Sequence, residues 1–237
     1  MTFVSKTLLG VMLLLSFSPR AQAQADPLQA LGAPDYATRQ AMTWQLLADN
    51  ELTLVEVAQW YRQATSDEQR CRLLDIFRHH AIRQMRQSPP NPAQQKGSIG
   101  LSHGILPANT VRGQPHPAVY VNLTLPGFPG YAHLQPGDLI LQLDGQPMPD
   151  DLTSEMFMLM IQSRHLGQRI SLDILRENQP RHVSLQLASS DALGQVYARS
   201  ARQLAPAFEQ AWQALHQALI AGDLEALTPP SPPQPAE

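Results

Sequence analysis

The sequence predicts an α+β protein, helical at both ends and mostly β-stranded between. Three observations carry this prediction. From Leu28 to Gln87 glycine and proline are almost absent, and apolar residues recur at helical spacing. From Ser98 to Leu187 both residues return and punctuate short apolar runs, the pattern of strands joined by tight turns. From Ser190 to Leu227 a helical apolar stripe resumes. The 237 residues are 43% hydrophobic and 16% charged, with a formal net charge of −3. Such weak acidity gives no electrostatic footprint for nucleic acid or for an anionic membrane surface.

The N-terminus reads as a targeting segment. Lys6 precedes an apolar run from Leu8 to Phe17, and Ala21-Gln22-Ala23 follows. This is the order of a secretory signal cleaved after Ala23, so residues 1–23 are expected to leave a mature chain exported to the periplasm or cell envelope of a bacterium. The run is shorter than the ~20 residues that span a hydrocarbon core. An uncleaved N-terminal anchor is the alternative; after cleavage no stable membrane insertion is expected. The chain has one cysteine, Cys71, so no internal disulfide is possible. It falls in a helical stretch and is read as a small core residue.

Three helices are expected in residues 26–87. In the first, Ala37, Ala41, Trp44 and Leu47 or Ala48 share one stripe. The second aligns Leu54, Val57 and Ala58 or Tyr61. The third aligns Leu73, Ile76, Phe77, Ile82 and Met85. Thr53 with Glu56, and Ser66 with Gln69, have capping-box spacing at the starts of the second and third. The stretch "SPPNPAQQKG" (residues 88–97) reads as a linker, because its prolines oppose helix and favour extended chain. At the other end Leu193, Val196, Tyr197, Leu204, Phe208, Trp212, Leu215 and Leu219 form the stripe of residues 190–227, which Pro206 kinks or restarts. This stripe packs either on the N-terminal helices or on a second chain. The tail, residues 228–237, is proline-rich and without a core-forming residue, and is expected to be disordered.

The middle region has more internal order. "SIGL" (Ser98 to Leu101) comes first, then a long loop from Gly104 to Pro117 and an apolar strand around Val119 to Val121. Pro126-Gly127, Leu134, Pro136-Gly137-Asp138, a strand from Leu139 to Leu143, and Asp144-Gly145 follow. Leu139, Leu141 and Leu143 alternate with Ile140, Gln142 and Asp144, as in a strand buried on one face. An apolar helix, "TSEMFMLMIQS", comes next and is too apolar to be a surface helix. A hairpin turning at Glu177-Asn178-Gln179-Pro180 closes the region.

This order of turns resembles the PDZ domain of bacterial HtrA-like proteins over residues 98–187. Two departures are Phe128-Pro129-Gly130 after the Pro-Gly turn and His133 where the family pattern carries glycine. The resemblance implies a partly open β-barrel or sandwich with a capping helix. It also implies peptide binding, in which an extended segment adds to a sheet edge and its C-terminal carboxylate is held by backbone N–H groups. By position in that pattern, Ser98, Ile99, Gly100 and Leu101 would form the carboxylate loop, and Ser154 and Met158 the opposite wall. Glycine suits such a loop because it admits backbone paths closed to other residues. Residues 26–87 loosely resemble HEAT-like helical repeats, through Arg39 and "EQRCRLL" (Glu68 to Leu74).

No catalytic pattern accompanies these features. The helical region before the linker leaves no room for the double β-barrel of an HtrA-like protease. No G-x-S-x-G, H-E-x-x-H, C-x-x-C or phosphate-loop motif occurs. Nothing in the sequence sets a base against Ser98. His79 and His80 are adjacent, so in a helix they point ~100° apart and do not share one ion; they are read as a solvated helix face. The expected protein is therefore not an enzyme and has neither cofactor nor metal. Its expected partners are protein or peptide C-termini. The competing expectation is an accessory subunit of an envelope protease or secretion machine with a vestigial groove.

Overall fold

The computed structural model describes residues 26–86, 95–110, 114–197 and 203–227. The expected export signal, most of the linker and the tail lie outside these residues. Among the described residues no helix is long and apolar enough to cross a membrane.

The N-terminal helices are α1 (Pro27–Leu31), α2 (Tyr36–Ala48), α3 (Leu54–Gln63) and α4 (Asp67–Met85). Both expected capping boxes form, with Thr53 and Glu56 on α3 and Ser66 and Gln69 on α4. Gln69 is buried, and its amide nitrogen also donates to the Leu28 carbonyl at 3.0 Å, which fastens α1 to α4. The inner face of α2 differs from the expected stripe. Met42, Thr43, Leu46 and Leu47 are buried, while Ala37 and Ala41 face solvent. A polar group turns the helix: Thr43 Oγ1 donates to the Arg39 carbonyl and accepts from Arg72 Nη1. Arg39 and Arg72 both pair with Glu68, joining α2 to α4. Cys71 is exposed, contrary to the core assignment, because it lies on the α4 face opposite Leu73, Ile76 and Phe77.

The middle region forms a small pair and an open sheet. In the pair, β1 (Gly97–Ser98) runs antiparallel to β8 (Ala188–Ser189). The sheet has the order β2 (Leu101–Leu106), β3 (Ala118–Thr124), β4 (Leu139–Leu143), β6 (Arg169–Arg176), β7 (Gln179–Gln186), with β5 (Gln146–Pro147) also on β4. The short helix α5 (Pro129–His133) follows β3, and α6 (Ser154–Gln162) lies between β5 and β6. The expected loop from Gly104 begins three residues later, at Pro107, since Gly104, Ile105 and Leu106 pair with Tyr120, Val119 and Ala118. The alternation expected in β4 is broken. Ile140 and Leu143 are buried, and Leu139 and Leu141 only partly so, because the register against β6 slips between Ile140 and Gln142 and reverses the facing. The last hairpin turns on two residues, Glu177 and Asn178, both with φ near +60°. Pro180 therefore stands within β7, an edge strand where a missing N–H is tolerated.

Asp138 of the Pro-Gly-Asp turn is fully buried. Its two carboxylate oxygens accept from Arg176 Nε and Nη2 at 2.8 and 2.7 Å, and Oδ2 also accepts from the Gln135 N–H. The turn is thereby pinned to β6.

The C-terminal helices α7 (Ser190–Val196) and α8 (Pro206–Ala221) pack on the N-terminal ones, and Pro206 starts α8. Phe77 of α4 meets Trp212 of α8 at a ring separation of 6.2 Å. One apolar core spans α1–α4, α7, α8 and the Leu125–Ala132 stretch; a second fills the sheet against α6. Both ends of the chain thus build one helical lobe, and the sheet is the other.

Candidate peptide groove

Among the described residues the sheet leaves β2 unpaired on its outer side, and α6 packs beside β1 and β2. Between them lies a groove. At one end, Ser98 to Leu101 faces Phe157, Met158, Ile161 and Gln162. At the other, the His103 ring meets Phe157 edge-on at 5.0 Å, beside the Ser154 carbonyl.

The loop is built around Gly100, at φ +74°. A Cβ there would lie 2.1 Å from the Phe128 Cβ, so the position excludes every other residue on steric as well as conformational grounds. Its carbonyl accepts from the Leu125 N–H at 3.0 Å, and the Ile99 carbonyl from the Gly130 N–H at 2.8 Å. These bonds fix the loop's carbonyls against the β3–α5 turn. Ser98 is buried, and its Oγ accepts the Gly100 N–H at 3.2 Å. That hydroxyl takes the place an incoming carboxylate oxygen would need at Gly100. Ile99 is buried in the sheet's core and Leu101 is half-buried at the head of β2.

Four of the six sequence-predicted positions, Ser98 to Leu101, therefore form one loop, and Met158 stands opposite. Ser154 is in the first turn of α6, at the far end of the groove. The expectation that α6 is mostly core does not hold. Only Phe157 and Ile161 are buried, whereas Met158 is 36% and Leu159 63% exposed, because among the described residues only one side of α6 meets the sheet.

Two groove residues were missed. His103 shares a strand face with Leu101 and Ile105, a period-two signal hidden by treating Gly104 as the start of a loop. Burial holds its imidazole below the ordinary range, against the pull of the Ser154 carbonyl. Its Nε2 is buried without a hydrogen-bond partner among the described residues. Leu193 of α7 also lines the loop end of the groove, and there the space amounts to about 20 Å³, room for a single water. Nothing in the spacing of the C-terminal stripe marks Leu193 as different from its neighbours.

The paired histidines are not a solvated face either. His79 and His80 are both buried. His79 Nδ1 accepts the Gly127 N–H at 3.0 Å, and His80 Nε2 donates to the Leu46 carbonyl at 2.8 Å. Gly127 itself, at φ +81°, leaves a Cβ no space, since it would lie 2.4 Å from Ile82 Cγ2 of α4. No cluster of metal-ligating side chains occurs among the described residues.

No protein-family profile matches the chain, and no curated protein matches it. Among solved structures, an HtrA-type protease, AlgW with decapeptide, is 22% identical over 40% of this chain and 30% of its own, with a TM-score of 0.34. AlgW with tripeptide is 23% identical over 39% of this chain and 31% of its own, with a TM-score of 0.33. The chain thus spans less than a third of the length of these proteases.

Proposed function

We propose that the protein is an exported, non-catalytic peptide-binding adaptor that takes an extended segment between β2 and α6. One observation carries this reading: β2, the edge strand of the sheet among the described residues, starts at a left-handed glycine loop and faces a helix with exposed apolar residues. A strand laid on β2 would gain main-chain hydrogen bonds, and Met158 and Leu101 would contact alternate side chains. The unpartnered His103 Nε2 supports an occupant, because a buried polar atom without a partner costs about 1–3 kcal/mol. The loop would receive the terminal carboxylate once the Ser98 hydroxyl turns away from Gly100.

A screen of C-terminal peptide libraries supplies a binder, and calorimetry then compares its free and amidated forms. Removing the charge is expected to weaken binding roughly ten- to a hundredfold, the value of one charge-assisted hydrogen bond. Equal affinities would discard the carboxylate loop and leave only internal-strand recognition. Leu101→Ala is expected to weaken both forms alike. Gly100→Val is a poorer test, because its clash with Phe128 would distort the loop whatever the ligand.

The narrow space beside Leu193 favours a second reading, an accessory subunit of an envelope protease or secretion machine whose groove is vestigial. Absence of any peptide binding, in the wild type and in a variant with that side chain shortened, is its expected signature.

A further inference from the structure

A second and larger cavity, of about 340 Å³, lies between the lobes, away from the peptide groove. Its walls come from α2, α4, α5 and the β8–α7 junction, and four of its lining residues are Arg83, Arg86, His79 and His133. Among the described residues no aspartate or glutamate lines it. Arg83 donates to Asn50 Oδ1 at 2.7 Å and to the Asn50 carbonyl at 3.1 Å, with Asp49 and Glu51 nearby. Arg86 lies deeper. Its guanidinium stacks 4.8 Å from the centre of the Phe128 ring, and Nε reaches only the Arg83 carbonyl, at 3.5 Å.

Neither arginine forms an ion pair among the described residues. The sequence limits what else could pair with Arg86. The stretch from Gln87 to Gln94 has no acidic residue, and outside the described residues the one acidic side chain is Glu237. Burial, and Arg83 beside it, lower the Arg86 guanidinium to about 10. It remains charged at neutral pH. A partly buried cation without a carboxylate partner among the described residues favours the arrival of a counter-charge. His79 adds a donor: Gly127 occupies Nδ1, so the neutral ring carries its proton on Nε2.

We propose that this cleft is a binding site for a small oxyanion, phosphate or carboxylate, held by the Arg86 guanidinium with Arg83 and His79 beside it. The planar guanidinium fork suits either group, since both present paired oxygens. The site is independent of the peptide groove and stands whether or not a peptide binds there.

The test is calorimetric titration of the purified protein with inorganic phosphate and, separately, with acetate, at low ionic strength. Saturable one-to-one uptake of at least one is expected, and the stronger of the two names the class of ligand. Arg86→Gln should weaken it at least about tenfold, the loss of one charge-assisted bond, and the exposed Arg181→Gln on β7 should leave it unchanged. Should Arg86→Gln fail to fold, the wild type still decides. The Nε–H resonance of Arg86 should shift with saturation, and that of Arg181 should not. The proposal is overturned by no saturable uptake of either anion, by undiminished uptake in folded Arg86→Gln, or by shifts confined to exposed arginines.

Discussion

The two lobes bury different chemistry. Inside the sheet lobe an apolar cluster runs from Val119 and Val121 across Ile140 and Leu143 to Ile170, Leu172 and Ile174, and a buried ion pair, Asp138 with Arg176, pins its turn. The helical lobe buries Thr43, Gln69, His79 and His80 within its core. Each of these reaches a distant backbone or side-chain partner: Gln69 the Leu28 carbonyl, His80 the Leu46 carbonyl, His79 the Gly127 N–H and Thr43 the Arg72 guanidinium. An apolar core specifies itself by pattern and volume. A core with polar members holds only while every member keeps its partner, and here one partner, Gly127, comes from the β3–α5 turn that packs into this core.

The largest effect should come from the buried charge pair of the sheet lobe, Asp138 with Arg176. Asp138→Ala leaves the Arg176 guanidinium with the His133 carbonyl and the nearby Trp44 ring, and frees the Gln135 N–H. Breaking a buried bidentate pair from one side typically costs about 3–5 kcal/mol. Denaturant unfolding should show that loss. A change under about 1 kcal/mol would mean that the apolar core alone fixes the turn.

The helical lobe should instead be the acid-sensitive one. Burial, and then Arg83, lower the His80 imidazole from 6.5 to about 4, and burial holds His79 well below its usual range. Between pH 6.5 and 4 the unfolded chain takes up protons that the folded chain refuses. Stability from the neutral histidines is therefore complete above pH 6.5 and lost as pH falls toward 4. For His80 alone the loss is roughly 3 kcal/mol, at 1.36 kcal/mol per pH unit. His80→Gln keeps an N–H for the Leu46 carbonyl and does not titrate, so it should flatten this part of a stability-against-pH curve. An unchanged curve would assign the acid sensitivity elsewhere.

Much of this contrast was legible in the sequence, and the illegible part has a common cause. The turns of the sheet lobe are local, so Pro136-Gly137-Asp138 and Asp144-Gly145 announce themselves, as do the capping boxes of α3 and α4. The inner faces of α3, α4 and α8 follow from apolar spacing alone. What failed depends on residues far apart in the chain. Thr43 turns α2 because Arg72 meets it, His79 and His80 are buried because Gly127 and Leu46 receive them, and the β4 alternation breaks because β6 imposes a slipped register. The union of N- and C-terminal helices, and Leu193 beside the groove, are of the same kind: periodicity tells that a face is buried, never against what.

The two capping boxes sharpen the comparison at lower energy. On α3 the Thr53–Glu56 pair is exposed, and Thr53→Ala should cost about 1 kcal/mol, as for an ordinary N-cap. On α4 Gln69 is buried and also holds the Leu28 carbonyl. Gln69→Ala strips the Thr65 and Ser66 N–H groups as well, so it should cost about 2 kcal/mol. Thermal unfolding of the two variants should rank them in that order. The reverse order would show that the contact with α1 is dispensable.

The smallest stability effect, and the most informative one for function, is expected where the lobes meet the groove. Leu193 belongs to α7 of the helical lobe, yet it lines the loop end of the sheet lobe's groove and is only partly buried. Shortening it to alanine removes modest apolar contact, so Leu193→Ala should change stability by no more than about 1 kcal/mol. The same change widens a cleft that now holds about 20 Å³. If Leu193 plugs the groove, peptide affinity should rise, most for peptides ending in a large apolar residue, and Leu193→Phe should lower it. If Leu193 is instead a wall of the pocket for the last side chain, Leu193→Ala should weaken binding, and small terminal residues should lose less than large ones. Calorimetry with one peptide series against the three proteins distinguishes these outcomes. The first makes the helical lobe a brake on the sheet lobe's binding site, and the second makes it part of that site.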